Sequence, residues 1–290
     1  MNRMKIFMKG LEGFWRKYRK DRLAVVGLVI VIFFIVTAFL GPLIAPFDPL
    51  RGGEEAFGSP SLRHLMGTDD LGRDVFSGIL YGSVISLTVG FLAVATSTTI
   101  GVFVGGISGF YGGIIDDFLM RITEMFQLIP PFFLALTLMA LFGPSIWNII
   151  LAIGVSSWPK TARLVRAAFL SLKTCEFVEA ARMLGAGDAN LIFDEIFINA
   201  TPIVITNGSL EVAKAILYEA GFSFLGLGDP NVVSWGSMLY NAQRFIRYSS
   251  WMMFFPGLAI FLTVLGVNLV GNGLNIALNP RLNSRGVDHP

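Results

Sequence analysis

The chain has 290 residues, of which 54% are hydrophobic and only 14% charged, with a mean hydropathy of +0.67. Soluble domains carry roughly 25% charged residues, yet residues 23–47, 75–115, 125–159 and 248–280 contain no Asp, Glu, Lys or Arg. Four such runs exclude a large soluble α protein. The net charge of +2 says little by itself, while one cysteine and two histidines exclude an intrachain disulfide, a CxxC site and a histidine metal cluster.

Residues 1–22 hold eight Lys or Arg against two acids and read as a basic cytoplasmic tail. The apolar run that begins at Leu23 is too long for a signal-peptide core and has no small-x-small cleavage boundary. Residues 23–45 are therefore read as a first, uncleaved span, ended by Pro42, Pro46 and Pro49. An outer loop, 46–80, follows. Its stretch 46–74 carries three basic and six acidic residues, and Gly67 to Asp74 reads as a turn with a helix cap. Asp69, Arg73 and Asp74 are its candidate contacts with something outside, unless the stretch is only a capped surface loop. The second span lies at 81–109, where Gly101 and Gly105 have the GxxxG spacing that lets helices approach closely in lipid. Asp116 and Asp117 fall in a short inner turn. Spans three and four are placed at 119–141, kinked at Pro130-Pro131, and at 145–159.

A polar segment, 160–195, with five basic residues comes next. The fifth span, 197–220, contains Glu211, Lys214 and Glu219, and charges inside a span usually face a cavity or a partner. Glu211 and Lys214 at i,i+3 either neutralise one another or, with Glu219, line a pathway. Trp235 and Trp251, flanking the outer end, suit the membrane interface. The sixth span is 251–273, followed by a tail, 274–290. Sixteen Lys or Arg fall in inner segments and five in outer ones. By the positive-inside rule this gives an all-α polytopic membrane protein with six transmembrane helices and both termini cytoplasmic.

Within 160–195, Leu164, Val165, Phe169 and Leu172 lie at helical spacing. Glu179-Ala180-Ala181-Arg182-Met183-Leu184-Gly185 is helix-forming sequence stopped by a glycine. The two alanines keep the elbow small, Gly185 and Gly187 permit a bend, and Glu179 and Arg182 stand at i,i+3. The residues fit two readings: a helix pair lying on the membrane surface, or a helix–glycine–helix knob inserted into a partner.

This segment resembles the EAA loop of binding-protein-dependent ABC importers, in which Glu-Ala-Ala is followed by three variable residues and Gly. Here it stands as Glu179-Ala180-Ala181 and Gly185. The resemblance continues along most of the chain. The stretch from His64 to Ser77, with Gly67-Thr68-Asp69 and Gly72-Arg73-Asp74, is similar to the segment before the second span of the C-type subunit of the dipeptide/oligopeptide/nickel permease family. Phe222 to Gly228, Ser234-Trp235-Gly236, Phe255 to Ile260 and Asn279 to Leu282 match that family in order and spacing. One departure is that the proline usual near the start of the fifth span is absent. Asn199 follows Ile196-Phe197-Ile198, and Pro202 comes later.

The resemblance implies a type I ABC importer permease fold in the cell (inner) membrane, and a non-catalytic role. The partners it implies are a second homologous permease subunit, two cytoplasmic ABC ATPases, an extracytoplasmic solute-binding protein and the lipid bilayer. ATP and Mg would be bound by the partner subunits, consistent with the lack of a GxxxxGK[ST] phosphate loop here. Glu179, Ala180, Ala181, Arg182, Gly185 and Ala186 would carry ATPase coupling. Small peptides are the expected cargo, with nickel or oligosaccharides as the alternatives, and no nucleic acid partner is expected. On the residues alone, a single-chain secondary transporter or a non-transport scaffold stays open. The former normally shows more spans or an internal repeat.

Overall fold

The computed structural model describes residues 13–278. Most of the basic tail, the end of the terminal tail and the Asn279–Leu282 motif lie outside the described residues. The regular elements within that range are helices, with one isolated antiparallel bridge between Thr68 and Asp74.

Helix α1, Arg22–Ile44, starts where the Asp21 carboxylate accepts from the Leu23 and Ala24 amides at 2.9 and 3.3 Å. It lies along α9, Trp251–Leu278, with Gly27 against Gly266 and Leu269. Helix α2, Val75–Tyr111, has 37 residues, or roughly 55 Å, well beyond the roughly 30 Å hydrocarbon core. It starts earlier than the expected 81 because Asp74 caps it, accepting from the Ser77 amide and hydroxyl at 2.7 Å each.

Helix α2 is the central post, packed against α5 (Ile146–Leu172), α7 (Ile198–Phe222) and α1. The glycine spacing read from the sequence forms the α2–α5 seam. A methyl at Gly101 would come 2.6 Å from Thr161 Cβ, and one at Gly109 would come 2.6 Å from Phe169 Cβ. The core between these helices holds Ile79, Val89, Ala93, Ile149, Ile153, Ile216 and Phe222.

Beyond the early start of α2 and the longer end of α9, three expected spans are redrawn. The stretch 119–141 is not one kinked helix. It is α3, Gly113–Gln127, and α4, Pro131–Phe142, bent by 78°. Adjacent prolines explain the break: each disfavours helical backbone in the residue before it, and Pro131 is at home in the first turn of a new helix. Helix α5 does not end at 159. It runs through Pro159 to Leu172, because its buried face, Trp158, Ala162, Val165 and Phe169, continues along α2 and into the apolar cluster around Phe110, Val178 and Leu191. The fifth helical path begins at Asp188, ahead of the expected 197. It passes through a π-helical turn, Leu191–Phe197, into α7. With Asn199 in place of proline its amide side chain donates to the Glu195 carbonyl at 2.7 Å, bridging this wide turn.

Four helical stretches are long and apolar enough to cross a membrane: α1, α2, the path through α7 and α9; the bent pair α3–α4 would make a fifth. Helix α5 has the length but carries Lys160, Arg163 and Arg166 in its second half. Large side chains such as Phe39, Leu43, Phe103, Phe118 and Leu141 are exposed over these helices, a lipid-facing surface of a kind soluble monomers rarely show.

Candidate functional site

The segment between α5 and α7 is a knob built on a small apolar core. Helix α5 ends at Leu172, and a tight turn leads to α6, Glu176–Met183. Val178 is fully buried and, with Ala181 and Ala186, packs in a cluster that includes Phe110, Val165, Phe169 and Leu191. The helix stops through a Schellman arrangement. The Gly185 amide donates to the Arg182 carbonyl at 3.0 Å and the Ala186 amide to the Ala181 carbonyl at 3.1 Å. Gly185 has φ +89°, the left-handed region that favours glycine. Beyond this base Glu179, Ala180 and Arg182 are exposed or partly so, and Met183 and Leu184 are each 89% exposed. Glu179 and Arg182 make no ion pair with each other among the described residues, which leaves both charges outward.

The knob rests on a joint the sequence reading missed. Arg166 of α5 donates from Nε and Nη2 to the two oxygens of Asp116 in α3, at 2.5 and 2.6 Å. Ser108 of α2 also donates to Asp116. One carboxylate thus ties three helices beside Phe110 and Phe169. The 50-residue separation of Arg166 and Asp116 leaves no sequence pattern that would find it.

The three charges expected in the fifth span separate. Glu211 is buried and accepts from Lys214 at 3.0 Å and from Lys160 of α5 at 2.5 Å. Lys160 lies one residue past the charge-free run that defines the fourth span and so groups with the polar segment in the sequence. Glu219 belongs elsewhere. It is 1% exposed and accepts from Ser86 at 3.0 Å and Ser223 at 2.8 Å. It joins α2 to the C-terminal end of α7.

In the loop before α2, Asp74 is buried and bonded to His64 Nδ1 at 2.9 Å as well as to Ser77. Its carboxylate is committed within the loop rather than offered outward. Asp69 and Arg73 are partly exposed and paired at 2.6 Å. They border a cavity of about 370 Å³ with Asp70, Asp229, Tyr240 and Asn241. Trp235 does not anchor a membrane interface. It is fully buried, starts the short helix α8, Trp235–Ala242, and donates to the Ile79 carbonyl at 3.1 Å. Trp251 donates to the Thr68 carbonyl at 3.2 Å and so pins the outer loop to α9.

Residues 97–284 match the family described as the binding-protein-dependent transport system inner membrane component, and residues 11–57 match the N-terminal TM domain of oligopeptide transport permease C. The chain belongs to the binding-protein-dependent permease family. The dipeptide transport system permease protein DppC of Escherichia coli K12 is 41% identical over 95% of this chain and 94% of its own length. DppC of Alkalihalophilus pseudofirmus is 38% identical over 93% and 90%, and the oligopeptide transport system permease protein OppC of Bacillus subtilis 38% over 92% and 88%. A chain of the MetNI methionine ABC transporter, solved in inward facing conformations, superposes with a TM-score of 0.58 at 19% identity. It covers 70% of this permease and 96% of that chain. The fold is that of type I ABC importer permeases, and the protein is a multi-pass membrane permease subunit of an ABC importer.

Proposed function

We propose that this permease forms half of the translocation pathway of an ATP-driven importer of dipeptides or oligopeptides, and that α6 and its glycine elbow couple it to the motor. The elbow carries this reading. Its base is locked by Val178 and a Schellman cap, while Met183 and Leu184 project as an apolar tip flanked by Glu179 and Arg182. An exposed apolar tip on a rigid base fits a cleft in a partner. The partners are two cytoplasmic ATPases that bind ATP and Mg, a second homologous permease and an outside solute-binding protein. The chain itself performs no hydrolysis. In this reading the chain crosses the membrane six times, counting the pair α3–α4 and α5, with α6 and both termini in the cytoplasm; the excess of Lys and Arg in the inner segments supports it. Peptide cargo rests on the named relatives.

Closure of the ATPase pair would push on the tip. Through Val178 and Phe169 the displacement reaches α5 and α2, and the Asp116–Arg166 joint carries it to α3. Alternating access then follows from a shift between two packings of these helices. Gly185→Val, which strains a left-handed backbone position, is expected to reduce peptide uptake and substrate-stimulated ATP hydrolysis about tenfold or more while the chain still inserts and assembles. Wild-type uptake by a well-expressed Gly185→Val complex would contradict the coupling role.

A further inference from the structure

Lys160, Glu211 and Lys214 form a cluster with a built-in polarity. Lys160 stands near the middle of the 27-residue α5, and Glu211 and Lys214 stand in the second half of the 25-residue α7. Both ammonium groups bond the same oxygen, Glu211 Oε1, at 2.5 and 3.0 Å. The carboxylate lies underneath, its side chain 10% exposed, whereas the lysine side chains are 57% and 50% exposed. Glu211 is the only acid either lysine pairs with among the described residues. The cluster therefore presents one surplus positive charge outward, with unused N–H donors on both ammonium groups.

A surplus charge at mid-helix depth is too costly to leave against lipid. Its exposed side therefore faces water or protein. Ser97, Ser157 and Tyr218 border a small recess beside Glu211 and Lys214, which adds hydroxyls rather than acids to the same face. Two half-exposed ammonium groups converging on one point match a carboxylate, the group that is most expensive to desolvate on a zwitterionic peptide. We infer that Lys160 and Lys214 form a carboxylate-binding station in the pathway, which holds the C-terminal carboxylate of a passing peptide, with Glu211 orienting both lysines from below. Partial exposure keeps the hold weak enough for release. This inference rests on the peptide-import reading.

The test uses the complete transporter, with both permeases, the ATPases and the binding protein, reconstituted in vesicles. Initial uptake of a dipeptide and of its C-terminal amide is compared, each at a concentration that saturates the binding protein. The wild type is expected to favour the acid about tenfold, the worth of one hydrogen bond to a charged group. Lys160→Met with Lys214→Met should bring the ratio to near one, and Lys214→Arg should keep it. Glu211→Gln, which removes the competing charge but keeps an oxygen that can accept from and orient both lysines, should raise it. A wild-type ratio near one, an unchanged ratio in the double variant, or an equal fall for acid and amide would overturn the station. If the double variant fails to assemble, the Glu211→Gln ratio decides, and no rise overturns it. A wild-type complex that moves neither probe defeats the peptide reading itself, and the station with it.

Discussion

Asp74 shows how a single side chain sets the start of a helix. It accepts from the amide and hydroxyl of Ser77 and bonds His64, and so fixes both the start of α2 and the fold of the loop in front of it. Asp74→Ala should cost about 0.5–2 kcal/mol from the lost cap, read as a lower thermal unfolding midpoint of the purified complex. An unchanged midpoint would show that the cap is dispensable. Asp116 is a parallel case near the opposite end of α2. Asp116→Ala leaves Arg166 without its paired acceptor and should cost about 1–3 kcal/mol, measured the same way. The first of these residues was legible in the sequence because a cap is local, with acceptor and donor three residues apart. The second was not, because its partner arrives from a distant helix. Lys160 illustrates a different blind spot: charge patterning marked where the apolar run stops, and the helix continued because packing on α2 outweighs local composition there.

Elements repeat the lesson with other forces. Glycine spacing in α2 predicted a close helix seam, and Gly101 and Gly109 do face Thr161 and Phe169 across it. Gly105, between them, packs against Ala162 and Arg166. Gly105→Leu should therefore push α2 off α5, with an overpacking cost of about 1–3 kcal/mol. Gly257→Ala is the control, since a methyl there meets nothing within 4 Å. The yield of assembled complex should fall for the first and hold for the second; equal yields would deny that the seam matters. Two prolines marked the α3–α4 break, but whether a proline pair kinks or splits a helix depends on what the next helix packs against, and no local pattern reports that. The π-helical turn before α7 is likewise silent in the sequence. The elbow at Gly185 was legible, because a helix former followed by glycine needs only local rules to stop. What its tip would leave exposed was not, since that depends on which side Val178 buries.

At the scale of the whole molecule the parts divide by height. A loop pinned by Asp74 and Trp251 closes one end, where Trp235 ties α8 to α2. A paired-charge cluster sits midway along α5 and α7, and a small apolar base holds a projecting tip at the other end. Lipid-facing side chains wrap the bundle between them. In the proposed coupling role that tip is shaped to be pushed by a motor carried on another chain. The tip is therefore where the account is most exposed to test. With Cys175→Ser removing the single native thiol, Leu184→Cys in the intact complex can be cross-linked through its thiol to whatever protein lies against it. The account predicts a nucleotide-dependent adduct with an ATPase subunit and shielding from membrane-impermeant maleimide applied outside intact cells. Labelling of the introduced thiol from the outside, or an assembled and active complex in which that position reaches no ATPase, would contradict it.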